Sequence, residues 1–191
     1  MEAFLVSTGI VALAEIGDKT QLLAFVLACR FRKPLPIVAG ILVATLANHA
    51  AAGALGAWIT TLISAETLRW ILGLSFLAMA AWVMIPDKLE ATDNAPPRFG
   101  VFSTTLVLFF LAEIGDKTQI ATVALAAQYQ TITLIVLGTT LGMMIANIPA
   151  VLLGEKIAHK IPMHWVHAIV AVIFAALGIA AIVGGRSLVE R

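Results

Sequence analysis

Long runs of apolar residues alternate with short polar breaks along the chain, and the runs fall at roughly 3–28, 35–62, 68–86, 100–127, 132–155 and 163–184. A helix needs about 20 residues to cross the hydrocarbon of a bilayer. The pattern therefore predicts an all-α, polytopic membrane protein with six transmembrane helices. The breaks carry helix-stopping chemistry: Arg30 to Pro36 is basic and holds two prolines, and Asp87 to Arg98 is polar and contains Pro96-Pro97. The second break is the natural linker. It divides a first three-helix unit, residues 1–86, from a second, residues 100–191, through the segment 87–99.

Two of the apolar runs carry charge in their interior. The nonapeptide Leu-Ala-Glu-Ile-Gly-Asp-Lys-Thr-Gln spans Leu13 to Gln21 and recurs without a mismatch from Leu111 to Gln119. A charged side chain at a helix centre in a membrane costs roughly 2.5 to 3.5 kcal/mol on insertion scales, so such residues mark the handling of an ion, proton or substrate. The repeat extends beyond the motif: Gly40 matches Gly138, His49 matches Asn147 and Gly56 matches Gly154, each 98 residues apart. With three spans per unit, the second unit enters the membrane in the opposite sense to the first. The expected arrangement is a pair of inverted three-helix repeats whose motifs meet near the midplane.

Composition agrees with a bilayer setting. The 191 residues are 61% hydrophobic and 12% charged, with a mean hydropathy of +1.01, outside the range of soluble domains. A net charge of +1 without basic runs argues against a nucleic-acid partner. The single cysteine, Cys29, excludes an internal disulfide and a multi-thiolate metal site. The N-terminus lacks the basic region of a signal peptide, so the first run is expected to remain as a span. Arg30, Arg32, Lys33, Lys88, Arg98, Lys156 and Lys160 fall in loops on one side, against Arg69, Arg186 and Arg191 on the other. This bias places both termini outside. Trp58, Trp70, Trp82 and Trp165 lie near span ends, as an interfacial aromatic belt requires.

On a helix, positions i, i+3 and i+4 share a face, so Glu15, Asp18 and Lys19 are expected to point one way, as are Glu113, Asp116 and Lys117. Four carboxylates and two ammonium groups sum to minus two, which one divalent cation or two protons would neutralise. Amide oxygens of Gln21 and Gln119 and hydroxyls of Thr20 and Thr118 would complete a hard site suited to calcium, magnesium or manganese. Gly17 and Gly115 offer a place for the helix to break and present backbone carbonyls to a cation. Clustered carboxylates repel one another, so protons can replace a departing cation. That competition is the basis of cation/proton exchange. The alternative is a set of self-neutralising i,i+4 pairs, Glu15 with Lys19 and Glu113 with Lys117, which leaves Asp18 and Asp116 unpaired.

The two motifs match the signature Glu-x-Gly-Asp-Lys/Arg-Thr/Ser, and the chain resembles the membrane family that includes bacterial manganese exporters and Golgi manganese/calcium transporters. The resemblance covers essentially the whole chain. It implies a cation site on Glu15, Asp18, Glu113 and Asp116, with Mn2+ or Ca2+ as transported substrate, H+ as counter-ion and no permanent cofactor. It further implies Mn2+ export across a bacterial inner membrane.

Asn48 and His49 lie midway along the second run and Asn147 at the matching place in the fifth. These side chains either complete a coordination shell or make interhelical hydrogen bonds. Pro149 is positioned to free a carbonyl near Asn147. Small residues at Ala50 to Gly56 and Gly138 to Gly142 predict close helix approach. His159, His164 and His167 read as headgroup-facing. A cation channel would share the acidic residues but needs a continuous pore. No nucleophile or substrate motif accompanies the carboxylates, so an enzyme is not expected. A homo-oligomer stays open.

Overall fold

The computed structural model describes residues 1–85, 100–153 and 163–184. These form eight α-helices and, among the described residues, no strand. The all-α expectation holds, but the first and fourth apolar runs are each two helices. The first is α1 (Glu2–Glu15) followed by α2 (Lys19–Phe31), and the fourth is α5 (Gly100–Glu113) followed by α6 (Lys117–Tyr129). The remaining runs are single helices: α3 (Pro34–Leu62), α4 (Ala65–Trp82), α7 (Ile132–Leu153) and α8 (Met163–Gly184). Helix boundaries follow the local chemistry. Pro34 occupies the first turn of α3, where its missing N–H costs nothing, and the Ser64 hydroxyl caps α4 by accepting from Thr67 N at 3.3 Å.

The halves are built into one another. Helix α1 packs along α7 and α5 packs along α3, so each broken helix lies against the long helix of the other half. Glycines make the close approach possible. A methyl group at Gly40 would lie 2.9 Å from the Phe102 carbonyl oxygen, and one at Gly138 would lie 2.7 Å from that of Phe4. Residues 40 and 138 are matched across the repeat, as are 102 and 4, so the two crossings are counterparts. The close approach expected of the small residues is also present at Gly53, Gly56 and Gly142.

Hydrophobic packing joins the halves again. One cluster gathers Ile10, Phe76, Leu125 and Phe174, with the Phe76 and Phe174 rings stacked at 6.2 Å between centroids. The other gathers Leu27, Ile41, Phe109 and Val151. Outside these clusters the polarity runs opposite to that of a water-soluble protein. Val43, Leu55, Leu74, Leu141, Val172 and Ile179 face outward, while Glu15, Asp18, His49, Glu113 and Asp116 are buried. Among the described residues two helices, α3 and α7, are long and apolar enough to cross a membrane. Trp58, Trp70 and Trp165 are exposed. The segment 87–99, Gly154, Lys156, His159 and Lys160, Arg186 and Arg191, and the side chains of His164 and His167, lie outside what is described.

Candidate cation site

Each motif is a hinge between two helices. Gly17 and Gly115 adopt φ values of 81° and 74°, the left-handed region open to glycine at little cost. Helices α1 and α5 stop at Glu15 and Glu113, and Asp18 and Asp116 serve as N-caps of α2 and α6. Each cap carboxylate accepts from the backbone N–H two residues on, Thr20 N and Thr118 N, at 3.5 Å. The expected break at the glycines is present. The expectation of one continuous helical face is replaced by a helix C-terminus bearing Glu15 or Glu113 and a helix N-terminus bearing Asp18 or Asp116.

The hinges bring carboxylates from both halves together. Glu15, Glu113 and Asp116 are fully or almost fully buried, and one carboxylate oxygen from each lies within 4.8 Å of the others. Asp18 is also buried but stands outside that group of three. The Thr20 hydroxyl donates to Glu15 Oε2 at 2.5 Å. The Thr118 hydroxyl lies 3.3 Å from both Glu113 Oε2 and Asp116 Oδ2. The remaining oxygens, Glu15 Oε1 and Glu113 Oε1, are buried without a hydrogen-bond partner. A buried carboxylate is costly unless its charge is compensated, and these two oxygens have the hard-donor character that Mg2+, Ca2+ or Mn2+ would select.

The lysines do not form the i,i+4 pairs considered from the sequence. Lys19 Nζ crosses to Asp116 Oδ1 at 2.8 Å, joining the halves by an ion pair. Lys117, itself nearly buried, donates to the Ile85 carbonyl at 3.0 Å. Expectation and structure also part at the glutamines. Gln21 Oε1 accepts from Gly17 N at 2.8 Å and Gln119 Oε1 accepts from Gly115 N at 2.7 Å. Their amide oxygens are turned to the backbone of the hinge.

Among the residues flanking the motifs, Asn48 makes an interhelical bond, its Nδ2 donating to the Phe110 carbonyl at 3.1 Å. Asn147 Nδ2 donates within its own helix to Met143 O at 3.0 Å, while Asn147 Oδ1 is buried without a partner. His49 is fully buried and both ring nitrogens lack a partner. Pro149 lies inside α7, and the neighbouring carbonyl of Ala146 accepts from Gln21 Nε2 at 2.9 Å. Sequence reasoning missed three further buried hydroxyls without partners, Thr45, Thr105 and Thr140. A threonine in an apolar run carries no signal of its own, because it so often bonds the carbonyl a turn earlier, as Thr139 does with Ile135.

The family model "Divalent cation/proton antiporter GDT1" matches residues 3–91 and 101–188, one segment in each half. The "Putative manganese exporter" of Vibrio cholerae serotype O1 is 49% identical over 181 residues, covering 94% of this chain and 90% of that protein. "GDT1-like protein 3" of Oryza sativa subsp. indica is 31% identical over 206 residues, covering 94% of this chain and 73% of its own length. The protein of the same name from Arabidopsis thaliana is 28% identical over 207 residues, covering 94% and 70%. No solved structure matches the chain.

Proposed function

The chain belongs to the GDT1 family of divalent cation/proton antiporters, and from that premise we propose that it exports Mn2+ in exchange for protons by alternating access. The observation that carries this reading is the buried trio of Glu15, Glu113 and Asp116, drawn from both halves, with Glu15 Oε1 and Glu113 Oε1 free of hydrogen bonds. Glu15, Asp18, Glu113 and Asp116 are the proposed ligand set. Lys19 holds Asp116 in place and limits the net charge of the cluster. Protons and the cation compete for the same oxygens, so loading one releases the other.

The proposed architecture is six spans in the bacterial inner membrane with both termini outside. Residues 1–86 and 100–191 are inverted repeats, and 87–99 is a cytoplasmic linker. Two observations support it. Large apolar side chains such as Leu74, Leu141 and Val172 face outward while the motif carboxylates are interior, and matched residues make counterpart contacts at Gly40 and Gly138. A closed arrangement around a buried site favours an exchanger over a channel, which requires a continuous pore.

Ca2+/H+ exchange is the second reading, because the oxygens of the trio suit Ca2+ as well as Mn2+. His49, fully buried with free ring nitrogens, is the residue that would favour Mn2+, the better acceptor of nitrogen. The deciding experiment is Mn2+ and Ca2+ uptake into proteoliposomes of the purified protein under an imposed pH gradient, with Glu113→Gln as control. Proton-coupled Mn2+ flux lost in the control is the expected result. A preference for Ca2+ moves the assignment to the second reading, and flux without proton coupling overturns exchange.

A further inference from the structure

The glutamine that ends each motif is committed at both corners of its amide. Its oxygen closes a ring onto the N–H of the positive-φ glycine, at 2.8 Å for Gln21 and 2.7 Å for Gln119. Its nitrogen leaves the motif for the other half. Gln21 Nε2 donates to the Ala146 carbonyl of α7 at 2.9 Å. Gln119 Nε2 faces Asn48 Oδ1 of α3 at 3.5 Å, and Asn48 Nδ2 donates onward to the Phe110 carbonyl of α5 at 3.1 Å. Positions 48 and 146 are matched across the repeat, so the two glutamines reach the same place on opposing long helices.

A carboxamide presents an acceptor and a donor in fixed directions. Here the acceptor points at the hinge backbone and the donor at a helix that is not part of the hinge. Resting on the exchanger reading above, we propose that Gln21 and Gln119 are positioning residues rather than cation ligands. Each splints its hinge and fastens it to the long helix of the other half. A shift of α7 is thereby transmitted to the Glu15–Asp18 hinge, and a shift of α3 to the Glu113–Asp116 hinge. The attachments are unequal. Gln21 holds a backbone carbonyl at ordinary hydrogen-bond distance, while Gln119 holds a side chain at the limit of one, so the second hinge is the more readily released.

The test compares Gln21→Met, Gln119→Met, Asn48→Leu and the Gln119→Met/Asn48→Leu pair in proteoliposomes, alongside wild type and Glu113→Gln. Methionine keeps the length and removes both hydrogen bonds. The expected result is a turnover of Mn2+ lowered about five- to tenfold, with KM within about twofold of wild type. The double variant should be no worse than the poorer single one, because both changes cut the same connection. A KM raised tenfold or more with turnover retained makes the glutamines ligands and overturns the proposal. Wild-type kinetics in the single variants, or additive losses in the pair, overturn it as well. If Gln119→Met does not insert, Asn48→Leu reads the same connection from the other side. Wild-type protein that moves no Mn2+ and no Ca2+ defeats the exchanger reading instead, which keeps the two failures apart.

Discussion

At Leu13–Gln21 the motif reaches outward: Lys19 crosses to Asp116 at 2.8 Å and Gln21 takes a backbone carbonyl of α7 at 2.9 Å. At Leu111–Gln119 the same residues bond differently, Lys117 donating to the Ile85 carbonyl and Gln119 facing the Asn48 side chain at 3.5 Å. The threonines differ too, Thr20 bonding Glu15 at 2.5 Å and Thr118 standing 3.3 Å from two carboxylates. Since the nine residues are identical, the difference must come from what surrounds them. The matched neighbours have diverged, with Asn48 opposite Ala146 and His49 opposite Asn147. The chain holds two copies of the chemistry, and divergence of the long helices gives each glutamine its own attachment.

The largest effects should separate the two cap aspartates. Asp116→Asn loses a member of the carboxylate trio and the partner of Lys19 together, so Mn2+ flux in proteoliposomes should fall at least about a hundredfold. Asp18→Asn, outside the trio, should lose about tenfold. Equal losses would erase the asymmetry. The lysines come next. Lys19→Met should lower flux about tenfold by leaving Asp116 unpaired in a buried site, and Lys117→Met about twofold. A larger loss at Lys117 would reverse the assignment of roles.

The hinges themselves should behave alike. Alanine at Gly17 or Gly115 forces a left-handed conformation on a residue with a side chain, costing about 1 to 2 kcal/mol. Thermal unfolding in detergent should show matching losses, since both glycines hold a positive φ; at Gly115 an added methyl group meets nothing within 4 Å. Strongly unequal losses would mean that one break is held by packing rather than by backbone. The smallest expected effect is on ion choice. On the proposed reading, in which His49 lends a nitrogen to the ion, His49→Gln should narrow a preference for Mn2+ over Ca2+ by about threefold in competition assays. An unchanged preference would remove His49 from the selectivity argument.

Much of the fold was legible because lipid-scale apolar runs leave few ways to place a helix. The structure begins α3 within a residue of the expected span, at Pro34. The hinges were legible through Gly17 and Gly115, since a glycine beside charge in an apolar run has few other uses. What the sequence did not show was direction. Spacing rules for a helix surface pair Lys19 with Glu15, but a break between Glu15 and Lys19 voids those rules and sends the ammonium group to Asp116. The bonds of the glutamines were hidden for a related reason. The break frees the N–H of the hinge glycine four residues back, and the amide oxygen accepts from it.

The reciprocal packing of α1 on α7 also has a consequence for biogenesis. Gln21 and its acceptor Ala146 are 125 residues apart, an interval that takes a ribosome roughly 6 to 25 seconds at 5 to 20 residues per second. During that interval the first hinge has been made but its scaffold has not. The nascent chain must therefore carry Glu15, Asp18 and Lys19 through the insertion machinery before the helix that will enclose them exists. The first half is in this sense a client waiting for its own second half.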